Sequence, residues 1–102
     1  MLRVETEQHG DRYRLTLHGS LTGEWVAVLE RYWKTLVRSV PSARITVELS
    51  DVSFIDRAGE GLLERIWRRG AKFVASGCVN RHVVDTIRSR NASARLSTAR
   101  ER

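Results

Sequence analysis

The sequence predicts an α/β fold, a single domain in which a mixed sheet of about four strands is combined with three main helices in the order β-β-α-β-α-β-α. Two observations support this prediction. Apolar and polar residues alternate in short runs, as in strands with one wet face, and between those runs apolar residues recur every three or four positions, as in helices that bury one side. The 102 residues, 41% of them hydrophobic, suit one packed core and leave no room for a second domain.

The chain begins with two runs that are predicted to form an antiparallel hairpin. Residues 2–8 alternate between apolar and polar side chains, and residues 13–18 do the same. Gly10 and Asp11 lie between the two runs, and such a glycine–aspartate pair is typical of a tight turn. We therefore expect the first two strands to pair directly with each other.

A helix is predicted from Glu24, because the apolar spacing changes there to three and four residues. Its apolar stripe comprises Trp25, Val28, Leu29, Tyr32, Trp33, Leu36 and Val40. Pro41 is expected to stop this helix, since proline lacks the backbone N–H that a helix interior requires. Apolar and polar side chains alternate again over residues 45–49, and this pattern predicts the third strand.

A second helix is predicted to follow the third strand. Asp56 is placed to cap it, because an aspartate side chain accepts hydrogen bonds from the free N–H groups of a first helical turn. Gly70 is expected to end it in a left-handed conformation, after two arginines that suit the negative end of the helix dipole. The apolar stripe of this helix comprises Ala58, Leu62, Leu63, Ile66 and Trp67.

The remaining elements are a short strand over residues 72–76 and a last helix that Asn80 is placed to cap, with its apolar side in residues 83–87. Two successive strand–helix–strand units imply parallel pairing with right-handed crossovers. The alternating strands imply that the helices pack mainly on one face of the sheet. The predicted core comprises Ile45, Val47, Leu49, Leu62, Ile66 and Phe73.

The charge of the chain is concentrated near its end. The whole sequence has 18 basic and 12 acidic residues, a net charge of +6, and residues 88–102 contribute five arginines against one glutamate. We predict a folded domain over residues 1–90 and a basic, flexible tail over residues 91–102. Because the tail has no aromatic residue that could stack on a base, nucleic-acid binding is disfavoured.

The sequence contains no pattern typical of an enzyme, so we expect no catalytic residue, no cofactor and no metal ion. The three histidines, at positions 9, 18 and 82, lack metal-ligand spacing. Cys78 and His82 are four residues apart, but two ligands do not close a zinc site. No glycine-rich phosphate loop and no nucleophile–histidine–aspartate arrangement is present.

The sequence also predicts a cytoplasmic protein without membrane insertion. The longest stretch without a charged residue has nine residues, whereas a spanning helix needs about twenty apolar ones. The first ten residues contain no apolar segment typical of a signal peptide. The single cysteine, Cys78, excludes an internal disulfide and suits a reducing compartment.

The segment over residues 52–63 has an unusual composition for a strand that leads into a helix. Gly59 and Gly61 fall in the first turns of the predicted helix, where each glycine costs about 1 kcal/mol relative to alanine. Either the start of the helix packs closely against a neighbouring element, or another protein approaches the backbone there. The candidate protein-interaction residues are Asp56, Arg57, Ala58, Gly59, Glu60 and Gly61.

The run VELSDVSFIDRAGEGLLERIWRRGAKFVASG, residues 47–77, resembles the centre of the STAS domain, the family named for sulphate transporters and anti-sigma factor antagonists. That family has a strand, an apolar-Asp-Ser-x-Gly turn, a helix, an Arg-Gly and a short strand. Residues 17–21 resemble the "G-x-L" ending of its second strand, and the order of elements matches over residues 2–88. The resemblance implies a STAS-like fold and a protein-binding regulatory role.

The sequence departs from the family pattern at the position of its switch. In regulatory members a serine between the aspartate and the glycine is phosphorylated by a partner kinase, but Arg57 and Ala58 stand here and neither has a hydroxyl. Thr22 stands where an aspartate commonly follows the "G-x-L" element. The resemblance therefore implies a non-phosphorylatable variant, although a neighbouring hydroxyl such as Ser53 remains open to modification.

Three kinds of partner remain open at this point. The resemblance implies an anti-sigma factor or a kinase of the switch-type regulatory systems. Another possibility from the same family is the ATPase of a lipid-transport ABC transporter, which can carry a small cytoplasmic STAS subunit. The third is a nucleic acid or an acidic surface bound through the basic tail, and steep weakening of binding with salt would distinguish it.

Overall fold

The computed structural model describes residues 1–75 and 82–89. The elements are β1 (Leu2–His9), β2 (Arg12–Leu21), α1 (Glu24–Leu36), a 3₁₀ turn (Ser42–Arg44), β3 (Ile45–Ile55), α2 (Arg57–Arg68), β4 (Lys72–Val74) and α3 (residues 82–89). The four strands form one sheet in the order β1-β2-β3-β4. The predicted fold class and element order are confirmed.

The N-terminal hairpin forms as predicted. β1 and β2 pair antiparallel from Leu2 opposite Gly19 to His9 opposite Arg12. Gly10 turns the chain with a φ of 66°, a left-handed value that a glycine adopts without steric cost. β3 then pairs parallel with β2, and β4 pairs parallel with β3. The two strand–helix–strand units therefore place α1 and α2 as crossover connections.

The end of β3 departs from simple alternation. The register between β2 and β3 shifts twice, between Thr16 and His18 and again between Gly19 and Ser20. At each shift β3 contains one more residue than β2, which is the geometry of a β-bulge. The bulges change which side chains of β3 face the core. Val52 is consequently buried, whereas Phe54 is 58% exposed.

Helix α1 differs from its prediction in its end and in its buried face. It ends at Leu36, five residues before Pro41, so proline is not what stops it. Its buried residues are Val26, Leu29 and Trp33. The predicted stripe omitted Val26 and was too wide, since Tyr32 is 39% exposed. Pro41 instead introduces the 3₁₀ turn before β3.

Helix α2 begins and ends as predicted. Asp56 caps its first turn, and Gly70, with a φ of 106°, follows its last residues. Leu62, Leu63 and Ile66 face the core as expected. Ala58 does not, because it is exposed, and the buried small residue of the first turn is Gly59. The predicted stripe was therefore wrong at Ala58.

The core lies between the sheet and the helices that cover one of its faces. All six predicted core residues are buried, none of them more than 4% exposed. Charged side chains occupy the opposite face, where Arg14 and Glu48 approach to 4.0 Å between nitrogen and oxygen. The buried residues include Leu15, Leu17, Leu21, Leu29, Ile45, Val47, Leu49, Leu62, Leu63, Ile66, Phe73 and Ile87.

Helix α3 docks against the same core. Ile87 is fully buried, and the guanidinium of Arg88 lies 5.4 Å from the ring centroid of Trp67 and donates to the carbonyl oxygen of Phe73 at 3.1 Å. The last strand is shorter than predicted, since β4 ends at Val74. The predictions for Ser76, Cys78, Asn80 and the tail over residues 91–102 lie outside the described residues. In the part of the chain described here, no helix is long and apolar enough to cross a membrane.

Candidate protein-interaction site

Asp56 connects the starts of the two crossover helices. Its Oδ1 accepts a hydrogen bond from the backbone N–H of Gly59 at 2.7 Å, which caps α2. Its Oδ2 accepts from the backbone N–H of Gly23, the residue before α1, at 2.9 Å. Its own N–H donates to the carbonyl oxygen of Leu21 at 3.2 Å. Through its carboxylate and its backbone N–H, Asp56 thus joins the start of α2 to the end of β2 and to the residue before α1.

These hydrogen bonds stabilise the ionised form of the carboxylate. The N–H of Gly23 contributes most to lowering the pKa of Asp56 below its usual range, followed by the N–H of Gly59. Hydrogen bonds to a charged acceptor favour that charge, whereas desolvation, here a smaller influence, opposes it. Asp56 is therefore an anion whose two carboxylate oxygens already accept hydrogen bonds from within the domain.

Gly59 is required by close packing. A Cβ at this position would lie 2.5 Å from the carbonyl oxygen of Leu21, 2.9 Å from its Cγ and 3.2 Å from Cγ2 of Ile55. The first of these contacts is with backbone, which cannot rotate away as a side chain can. Of the two explanations for a glycine in this helix, packing of the helix start against the end of β2 accounts for Gly59.

Gly61 has no such requirement. It is exposed, and a Cβ built on it would meet no atom within 4 Å. Arg57 and Ala58 in the same helical turns are also exposed, and Glu60 is half-buried. The side chains of Arg57, Glu60 and Glu64 border an open concavity with Gly61. The sequence-predicted site residues thus separate into an internal pair, Asp56 with Gly59, and an exposed group on α2.

The fold and the site can be compared with known structures. A crystal structure of an anti-sigma factor antagonist from Mycobacterium paratuberculosis matches with a TM-score of 0.74 and 19% identity, over 91% of this chain and 82% of that one. The anti-sigma factor antagonist SpoIIAA in its unphosphorylated form matches with a TM-score of 0.61 and 19% identity, over 79% and 80%. An uncharacterized protein from Shewanella loihica with a SpoIIAA-like fold matches with a TM-score of 0.56 and 8% identity, over 85% of this chain and 77% of that one.

This chain has the SpoIIAA-like fold. The STAS-like architecture expected from residues 47–77 is thereby confirmed. No protein-family model matches the chain, and no curated protein matches it in sequence. The likeness is therefore one of structure, and it covers most of each chain compared.

Within the SpoIIAA-like fold, the two positions between Asp56 and Gly59 are open to solvent. Arg57 and Ala58 occupy them, and neither side chain carries a hydroxyl. The exposed hydroxyl of Ser53 lies at the end of β3, where it donates to the carbonyl oxygen of Gly19 at 3.2 Å. Ser53 therefore belongs to the strand end, outside the helical turn that Asp56 caps.

Phe54 is a candidate contact residue that the sequence reasoning missed. It is 58% exposed and precedes Asp56 by two residues. The alternating pattern of β3 gives no sign that the side chain of Phe54 leaves the regular strand. The two bulges that change the direction of this side chain have no signature in the sequence. A large exposed aromatic beside a glycine-containing helix start is the kind of residue that anchors protein interfaces.

The histidines and carboxylates of the described residues form no metal centre. No group of three or more His, Cys, Asp and Glu side chains within residues 1–75 and 82–89 could hold a metal ion. His18 lies on the open face of the sheet, with Nε2 at 2.5 Å from Glu5 and Nδ1 at 3.2 Å from Asp51. Both ring nitrogens thus face carboxylates of neighbouring strands.

Proposed function

We propose that this domain is a non-catalytic, cytoplasmic regulatory module that binds another protein through the start of α2. The SpoIIAA-like fold supports a role of the anti-sigma factor antagonist type. The proposed contact residues are those that the candidate site leaves exposed: Arg57, Ala58 and Gly61, with Glu60 at their side. Asp56 and Gly59 keep this surface in position from within.

The observation that carries the proposal is the exposed Gly61. A glycine in a helix interior costs about 1 kcal/mol relative to alanine. Close packing explains this cost at Gly59 but not at Gly61, where a methyl group would meet nothing. Close approach of another protein to the helix backbone provides a reason for retaining a glycine at this position.

The proposed partner is an anti-sigma factor or a kinase of the corresponding regulatory systems. Because Arg57 and Ala58 cannot accept a phosphate on a hydroxyl, we propose that binding is constitutive or controlled by expression or by a ligand. The ATPase of a lipid-transport ABC transporter is the alternative partner. The two classes differ in which protein co-purifies with the domain.

Affinity purification from the native host, followed by mass spectrometry, identifies the partner. Ala58→Asp then tests the surface. Ala58 lies in the first turn of α2, where a negative charge favours the helix dipole by roughly 0.3–1 kcal/mol, so the fold should persist. The added charge should nevertheless repel a partner adapted to a small neutral surface. Retention of the partner at wild-type affinity would place the interface elsewhere, for example on the open sheet face near Arg14.

A further inference from the structure

A second surface lies between the carboxyl-terminal halves of α1 and α2. The two helices leave a shallow groove of about 310 Å³. Trp33, Leu62 and Ile66 form its floor but are themselves at most 6% exposed, and the half-buried Val37 is the apolar side chain that lines it nearer the surface. This volume lies at the lower end of the range for binding sites, about 300–1,000 Å³, and suits a few apolar side chains.

Cationic side chains border this groove. Lys34 and Arg65 are 69% and 62% exposed and approach the same carboxylate oxygen of Glu30, at 3.9 and 3.3 Å. Arg69 also lines the groove, and no ion pair joins it to another of the described residues. Arg68 lines it as well and pairs with Glu64 at 3.3 Å. The lining thus contains one acidic side chain, Glu30, and four cationic ones. The groove therefore combines an apolar floor with an excess of positive charge at its edges.

We propose that this groove binds an acidic, amphipathic peptide segment of a partner protein. Its apolar side chains would pack against Val37 and the aliphatic stems of Arg65 and Arg69, and its carboxylates would pair with the two guanidinium groups. Charge complementarity supports this occupant, because guanidinium groups form strong paired hydrogen bonds with carboxylates. The basic residues 90–102 of the chain carry the same sign of charge as the groove and are disfavoured as its occupant.

Two other classes of partner fit the groove less well. A single-stranded nucleic acid needs aromatic rings on which bases stack, but Trp33 is only 6% exposed. A membrane surface needs apolar side chains that enter the lipid, yet the large exposed apolar residues of the described chain all lie outside the groove. They are Met1, Tyr32, Phe54 and Val74.

The groove is separate from the surface proposed at the start of α2. Of the two arginines to be tested, Arg69 lies eight residues from Gly61, about 12 Å along the helix, and Arg65 lies four residues away, about 6 Å. Because no groove residue belongs to the Arg57–Gly61 surface, binding at the two places can be measured independently. Failure of one proposal therefore leaves the other standing.

Fluorescence anisotropy at about 0.15 M ionic strength, where the Debye length is about 8 Å, tests the groove with a labelled synthetic peptide in which leucine and glutamate recur at helical spacing. We expect Arg65→Gln/Arg69→Gln to weaken binding by about tenfold or more, because both charged contacts are lost. The matched control is Arg12→Gln/Lys72→Gln, which removes the same charge from exposed positions outside the groove. The control should change the affinity by less than about twofold, since distant surface charges are screened. Thermal melts followed by circular dichroism check that both variants fold.

Several results would overturn this proposal. Equal weakening by both double variants would show that binding follows net charge alone. Unchanged binding of a peptide with every leucine replaced by serine would exclude a contribution from the floor. Absence of measurable peptide binding would exclude the site. Vesicles of equal parts phosphatidylcholine and phosphatidylglycerol, and single-stranded DNA, are tested in the same way. If Arg65→Gln/Arg69→Gln weakens binding of the vesicles or of the DNA more than binding of the peptide, the groove is a site for a membrane or for a nucleic acid.

Discussion

Gly59 and Gly61 occupy the same helix two residues apart, and the same substitution should change stability in opposite directions at these positions. Gly61→Ala adds a methyl group that meets nothing within 4 Å. The helix then gains most of the difference in propensity between alanine and glycine, so we expect about 0.5–1 kcal/mol of added stability. The native protein is less stable by this amount because it has glycine and not alanine at position 61.

Gly59→Ala gains the same propensity but introduces a steric conflict. The new methyl group would lie 2.5 Å from the carbonyl oxygen of Leu21, which also accepts the N–H of Asp56. Overpacking of this kind typically costs about 1–3 kcal/mol, which equals or exceeds the propensity gain. The conflict is with backbone, so relief requires β2 to move away from α2 and strains the contacts of Asp56. We therefore expect net destabilisation.

Urea denaturation of the wild type and the two variants measures this difference. Equal m-values would show that the same surface is exposed on unfolding in all three proteins. We expect the midpoint to rise for Gly61→Ala and to fall for Gly59→Ala. A Gly59→Ala protein as stable as Gly61→Ala would refute the close packing of α2 against β2. A loss of stability in Gly61→Ala would show that Gly61 also has a role inside the domain.

Two further predictions concern the core and the cap. Leu62 is 2% exposed, so Leu62→Ala should lose about 2–5 kcal/mol in chemical denaturation, and a negligible loss would mean that α2 is wrongly oriented. Asp56→Asn should lower the melting temperature near neutral pH, because one amide oxygen cannot replace two acceptors. The pKa of Asp56 is lowered, so its contribution exists above the usual aspartate pKa and disappears as the pH falls through the folded-state value. The wild type and Asp56→Asn should therefore converge in acid, and a constant difference would contradict this.

The sequence was sufficient to predict elements whose periodicity is local. Alternation in residues 2–8 and 13–18 predicted the hairpin, and Asp56 and Gly70 predicted the limits of α2. These signals arise from neighbouring residues within one element. The expected Asp56 cap was confirmed for the same reason, because an N-cap depends on the first turn of its own helix.

Features that depend on contacts between distant segments could not be predicted. The bulges that expose Phe54 depend on the register between β2 and β3, which the sequence of β3 alone does not reveal. The different roles of Gly59 and Gly61 depend on where Leu21 lies. The predicted end of α1 was wrong. A proline prevents a helix from continuing past it, but nothing requires the helix to extend as far as the proline.

We propose the exposed start of α2 as a partner surface. The most direct test is to measure the affinity of the purified partner for two alanine-to-aspartate variants. Ala58 lies in the first turn of α2, and Ala27 is an exposed residue near the start of α1. Each substitution adds one negative charge within the first four residues of a helix, so the change in net charge is the same. We predict that isothermal titration will show loss of binding for Ala58→Asp and wild-type affinity for Ala27→Asp, with both melting temperatures close to that of the wild type. Wild-type affinity for Ala58→Asp, or an equal loss for both variants, would contradict the claim.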